Sequence, residues 1–160
     1  MQRRPALGFT LIELMVVAGI MVTLMLVTLP GYTDKLVREQ VAEALPLADI
    51  AKPAFQLAWL AGLPLPADNA AAGLPAADKI VNQQVQAVTV AQGAIHITFG
   101  NRAHKDLQGK VLTVRPAGVE DARIVPFTWL CGAMAAPARM TAQGENRTTV
   151  PLKFLPARCR

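Results

Sequence analysis

Residues 14–29 contain no Asp, Glu, Lys or Arg, and only Thr23 and Thr28 among them are polar. That gap in charge governs most of what the polypeptide can become. The apolar stretch widens to residues 9–31, 23 positions interrupted by a single acid, Glu13. A helix rises about 1.5 Å per residue, so one over 9–29 reaches roughly 30 Å, the thickness of a bilayer's hydrocarbon. An ordinary secretory signal has about 7–15 apolar residues and ends in a small-x-small cleavage site. Here the exit reads Thr28-Leu29-Pro30-Gly31, with no such site, and Gln2, Arg3 and Arg4 supply a basic flank. The segment is long enough to remain in a membrane.

The remaining chemistry is sparse. Among 160 residues there is no serine, which removes every Ser-nucleophile mechanism. Two cysteines exclude a four-cysteine zinc site, and His96, His104, Cys131 and Cys159 match no metal-ligand spacing. No cofactor is expected. An apolar content of 52% with 17% charged residues argues against disorder.

Glu13 is the anomaly of the apolar stretch. An ionisable side chain at membrane depth marks function, unless it lies at headgroup level as an acid favourable to the helix macrodipole. Position alone leaves both readings open. The neighbours favour function, because Gly8-Phe9-Thr10-Leu11-Ile12-Glu13-Leu14 resembles the processing site of type IV pilins. The resemblance implies that a dedicated peptidase and methyltransferase cuts between Gly8 and Phe9, methylates Phe9, and leaves Glu13 as the fifth residue of the mature chain. Pro30-Gly31-Tyr32 stands where family members usually carry Pro-Ala-Tyr, and residues 37–44 look like their Ala-Arg-x-Gln-Val-x-Glu-Ala stretch. The eight-residue leader is similar to that of the type IVa branch. Removing it takes Arg3 and Arg4 and changes the net charge from +5 to 14 minus 11, or +3.

The spacing has a physical reason of its own. Cutting after Gly8 places a cationic amine on Phe9, four residues before Glu13 and on the same face of the helix start. In a stack of identical helices offset along an axis, the carboxylate of one subunit can meet the amine of the next. Away from water such a pair is strong and orienting, whereas either charge alone is costly. Glu13 is therefore expected to set the register of subunit addition.

Beyond Pro30 the pattern turns amphipathic. Val37, Val41, Ala44, Ala48, Ala51 and Phe55 recur at steps of 4, 3, 4, 3 and 4, a stripe down one helix face. A continuous helix over 9–60 is predicted, bent where Pro30 removes a backbone donor, with Pro46 and Pro53 as further bends. Residues 62–78 are Ala/Leu/Pro-rich without periodicity and read as a loop. Strand signals follow over 85–90, 94–99, 110–115 and 126–131, with Gln92-Gly93 as the first hairpin turn. His96 takes a polar place in an alternating strand and is expected on an exposed sheet face; His104 falls in a loop. Four strands in meander order behind one long helix make an α+β module. This arrangement resembles the pilin fold, a long curved amino-terminal helix on a four-stranded antiparallel sheet with a carboxyl-terminal disulfide loop. The expected organisation is a leader over 1–8, a membrane and filament-core helix over 9–30, and an exported globular domain over 31–160.

In an exported protein two cysteines are expected to pair, and the ending over 153–160 is similar to the pilin terminus, where a disulfide staples the tail to the last strand. Cys131 and Cys159 enclose 27 residues, and closing a loop of that size stabilises by about 3.5 kcal/mol in the chain-entropy model. From Arg102 onward there are ten Lys+Arg and four Asp+Glu. Most such charge is a solvated surface; the sharper reading is that Arg139, Arg147, Lys153, Arg158 and Arg160 attract DNA or another anionic surface. Asn146-Arg147-Thr148 fits an N-glycosylation pattern, a weak signal. The function expected from the resemblance is a structural pilus subunit, not an enzyme. It would pass once through the inner membrane, be handed to inner-membrane assembly machinery, and polymerise into an extracellular filament serving adhesion, twitching motility or DNA uptake. The rivals are a minor pilin that captures DNA, a type II secretion pseudopilin, and a membrane protein that is never cleaved.

Overall fold

The structure, a computed structural model, describes residues 8–160, leaving aside the side chains of 28–30. Apart from Gly8, the expected leader lies outside the described residues. Two compact units divide the chain, one ending at Lys35 and one spanning Leu36–Arg160. Helix α1 (Leu11–Ala44) contributes to both.

Between Leu11 and Val27 α1 is apolar round its circumference apart from Glu13 and Thr23. Large side chains from Leu11 to Val27 are exposed all round the helix, the pattern of a segment made for lipid or for the interior of an assembly rather than for water. The Thr23 hydroxyl turns back on the backbone, donating to the carbonyls of Ile20 at 2.8 Å and Gly19 at 3.2 Å, which hides its polarity. The helix runs through position 30 without ending there.

In the second unit the helical hydrogen bonding is interrupted twice, at the prolines where bends are predicted, while Leu45, Ile50 and Ala51 keep right-handed helical backbone. After α1 come α2 (Pro46–Asp49) and α3 (Lys52–Leu60). Pro46 and Pro53 have no N–H to offer a preceding turn, so each instead occupies the first turn of a new helix, where that donor is not needed. The apolar stripe survives both breaks: Val37, Val41, Ala44, Ala48, Ala51 and Phe55 are all buried.

That stripe lies on one face of an antiparallel sheet in the order β1 (Val85–Ala91), β2 (Ala94–Phe99), β3 (Val111–Gly118) and β4 (Thr128–Cys131). Gln92 and Gly93 join β1 to β2 with φ of 47° and 78°, the two left-handed positions of a tight hairpin turn. Ile95, Ile97 and Phe99 on β2 and Leu112 and Val114 on β3 meet the helices in one core with Phe154 and Leu155 from the tail. The Phe55 ring packs edge-on against Trp129 of β4, with centroids 5.7 Å apart.

Beyond the predicted elements the globular unit has a fifth strand and a strap, and its predicted loop is fastened to the sheet. The loop over 62–78 is docked along the open edge of β1. There the Asn69 side chain accepts from the Val90 N–H at 2.6 Å and donates to the carbonyls of Val88 and Pro75 at 3.0 Å each, and Ala67 and Pro66 accept from the N–H groups of Gln92 and Gly93. A two-residue strand, β5 (Thr141–Ala142), pairs with the far end of β3. From it the chain crosses the outer face of β3 as a strap. Gln143 donates to Pro116, the Arg147 N–H reaches the Thr113 hydroxyl at 3.0 Å, and Thr149 and Val111 exchange two bonds of 2.8 Å. Gly144, at φ +75°, allows the crossing: a Cβ there would lie 2.7 Å from that of Ala94.

Candidate functional site

The amino-terminal site is built by a helix cap. Thr10 precedes the first helical residue, Leu11, and Glu13 occupies the third position of the helix. The Thr10 N–H and hydroxyl donate to one carboxylate oxygen, Glu13 Oε2, at 2.9 and 2.7 Å, and the Glu13 N–H points back to the Thr10 hydroxyl at 3.4 Å. This is the reciprocal capping box, which satisfies donors that the first turn of a helix leaves open. Glu13 is thus a helix-start acid, its carboxylate held against Thr10. Thr10 was not singled out in the sequence, although Thr-x-x-Glu ahead of an apolar run is a readable signature. Gly8 and Phe9 lie ahead of the helical turn, and Phe9 is 87% exposed.

At the other end Cys131 and Cys159 are bonded, their Cα atoms 4.5 Å apart. The bridge is buried, and the Ala133 N–H donates to the Cys159 carbonyl beside it at 3.0 Å. The five basic residues near it have separate local settings. Arg147 pairs with Glu145 at 2.8 Å, the Lys153 ammonium lies 4.3 Å from the centre of the Phe154 ring, and Arg160 donates to the Leu155 carbonyl at 3.1 Å. Arg139 is exposed with a left-handed backbone, and Arg158 lines a cleft of about 280 Å³ with Lys52, Asp49 and Trp129. No shared anion cradle emerges from these contacts. The Asn146 side chain donates to Gly132 at 2.8 Å and accepts from Thr148 at 2.7 Å, so the glycosylation pattern coincides with an amide already used in folding.

His96 corrects the expectation of an exposed sheet residue. It is 5% exposed, because the strap over 143–150 covers the face on which it stands. Burial, and secondarily the charge of Arg147, hold its imidazole below the ordinary value, with Glu145 opposing. His104 sits in its expected loop, Nδ1 lying 3.7 Å from Asp106. Among the described residues no group of His, Cys, Asp and Glu could hold a metal ion.

Comparison with known proteins places these features together. Residues 37–160 match the family model for pilin, the bacterial filament protein, and residues 3–29 match the prokaryotic N-terminal methylation motif. The type IV major pilin protein PilE of Neisseria gonorrhoeae is 34% identical over 96% of this chain and 93% of its own length. A fimbrial protein of Neisseria meningitidis is 32% identical with the same coverage, and the fimbrial protein EcpC of Eikenella corrodens is 34% identical over 89% of this chain and 92% of its own. A match over the whole globular unit, joined to relatives that align nearly end to end, shows that this chain belongs to the pilin family.

Proposed function

We propose that this chain is the structural subunit of a type IV pilus, made as a membrane-anchored precursor, cut between Gly8 and Phe9, methylated on Phe9 and polymerised through its first helix. The observation that carries the proposal is the surface of α1 between Leu11 and Val27: an all-round apolar cylinder whose single acid, Glu13, is already held at the helix start by Thr10. Such a cylinder is stable in lipid and equally stable among identical cylinders, so transfer from the inner membrane to a filament core needs little change in apolar environment. Glu13 supplies direction. It would meet the Phe9 amine of the adjoining copy only when the two helices are offset by the right amount, and cleavage is what creates that amine. Pro30 would then bend the helix where it leaves the core. The relatives' names as major pilin and fimbrial proteins support a main-subunit role, which makes the function mechanical and the site non-catalytic.

Sheared surface fibres from cells making this chain test the proposal. Their main component should begin with N-methylated Phe9 and lack residues 1–8. Retention of Met1 in envelope material, or absence of the chain from fibres, would overturn it.

A further inference from the structure

We propose that His96, Thr113 and the strap over 143–150 form an acid-sensitive latch, which holds the strap across the outer face of the sheet at neutral pH and releases it on acidification. The inference is independent of how filaments assemble and rests on a buried imidazole, the hydrogen bonds that link it to the strap, and the charges that the strap carries. The Thr113 hydroxyl oxygen accepts from the Arg147 N–H at 3.0 Å, and the same oxygen lies 3.0 Å from His96 Nδ1. A hydroxyl has one proton to give. Its oxygen also has two lone pairs, so beside accepting from Arg147 it can either donate to Nδ1 or accept from it, and both neutral tautomers of His96 fit. The Thr113 N–H in turn donates to the Thr148 hydroxyl, which donates to Asn146 Oδ1. The chain of bonds thus ties β2 through β3 to the strap, and either neutral tautomer of His96 completes it.

A charged ring carries a hydrogen on each nitrogen: the Nδ1–H can still donate to the Thr113 oxygen, but the Nε2–H finds no acceptor among the described residues. The resulting imidazolium is buried, and Nε2 is a buried atom without a hydrogen-bond partner. The charges acting on it come from the strap: Arg147, which repels it, and Glu145, which attracts it but is bonded to Arg147 at 2.8 Å. Its ladder neighbours, Thr89 on β1 and Thr113 on β3, carry no charge. Lifting the strap relieves every one of these penalties by admitting water. Protons therefore bind the open form more tightly, and by linkage acid favours opening, by at most about tenfold per pH unit for one titrating group. The sign follows from a folded-state value held below the ordinary one: the latch is intact above about 6.5 and weakens as pH falls from there through the lower folded value. Opening stays local, because β5 precedes the strap and the buried Phe154, Leu155 and Cys159 follow it.

The test is hydrogen exchange and imidazole NMR on the full chain in detergent micelles, between about pH 8 and pH 5. Expected are a neutral His96 ring at the upper pH that titrates below the ordinary imidazole value, and exchange at Thr113, Arg147 and Thr149 that accelerates below about 6.5 after correction for intrinsic rates, approaching tenfold per unit, while Val41 is unaffected. His96→Gln should abolish this response and His104→Gln should keep it. A His96 titration at or above the ordinary value, or an unchanged acid response in His96→Gln, would each overturn the latch. If His96→Gln does not fold, the wild-type titration and exchange profile decide alone.

Discussion

Thr10 and Glu13 hold each other at the start of α1, and the pair explains how a carboxylate can stand at the threshold of a helix that is otherwise compatible with lipid. Two donors on one oxygen localise the charge and end the helix there, leaving Gly8 and Phe9 in non-helical backbone. Removing the carboxylate should therefore damage assembly rather than insertion. For Glu13→Val we expect normal membrane fractionation, since the helix becomes more apolar, with surface fibres reduced at least to trace amounts when sheared material is immunoblotted. Full fibre yield would remove Glu13 from the mechanism. Thr10→Ala removes the hydroxyl contact and keeps the backbone one, so a smaller loss of fibres is expected in the same assay. At the centre of the globular unit, Phe55 is fully buried against Trp129, and Phe55→Ala should cost about 3–5 kcal/mol in chemical denaturation through the cavity it leaves. The two kinds of residue were not equally legible in the sequence. Glu13 and Phe55 declare themselves, one as a lone acid and one as the last step of an apolar stripe. His96 does not, because strand alternation tells which face a residue takes and says nothing of what will cover that face.

At the scale of elements, the sheet is finished on every side by segments that have no regular structure of their own. The strap closes the outer face and the part of β3 that short β4 does not reach, while the loop after α3 closes the edge of β1. Asn69 is the fastening point of that loop, because its amide stands in for a neighbouring strand at Val88 and Val90. Asn69→Ala leaves those two backbone groups without that partner at a nearly buried position, and a loss of about 1–3 kcal/mol is expected in denaturant titration. An uncovered edge also invites pairing with other chains, so the variant should associate more readily in light scattering. These closures explain the limits of reading the sequence. The stripe from Val37 to Phe55 and the hairpin at Gln92-Gly93 are fixed by local periodicity and local backbone preference, so they could be read directly. Interruption of the helix at Pro46 and Pro53 depended on whether the chain would bend or restart. A strand of two residues has no period at all, and Asn69 meets its partners 19 and 21 positions away.

On the scale of the molecule, the chain joins two units that need different surroundings. Each buried hydrophobic residue among those described, from Val37 to Cys159, belongs to the second unit, whereas the large apolar side chains between Phe9 and Val27 are exposed in the first. The second unit also contains its own fastenings. Arg38 donates to the Lys153 carbonyl at 2.6 Å, tying helix to tail, and the disulfide binds the tail to β4. Replacing Cys131 and Cys159 together by Ala should lower stability by about 2–5 kcal/mol, in the range that loss of a native bridge brings to a small exported domain. It follows that a chain beginning at residue 31 should fold without detergent. It keeps the turn of helix ahead of Val37 and every core residue, and it loses the apolar cylinder, the surface of the chain least suited to water. Sedimentation should show a monomer, thiol titration should find no free cysteine, and the denaturation midpoint should fall when reductant is added. Aggregation of this shortened chain under conditions where the full chain folds in micelles would mean that the first half of α1 contributes to the core. The separation of roles between a helix that assembles and a domain that folds would then have to be given up.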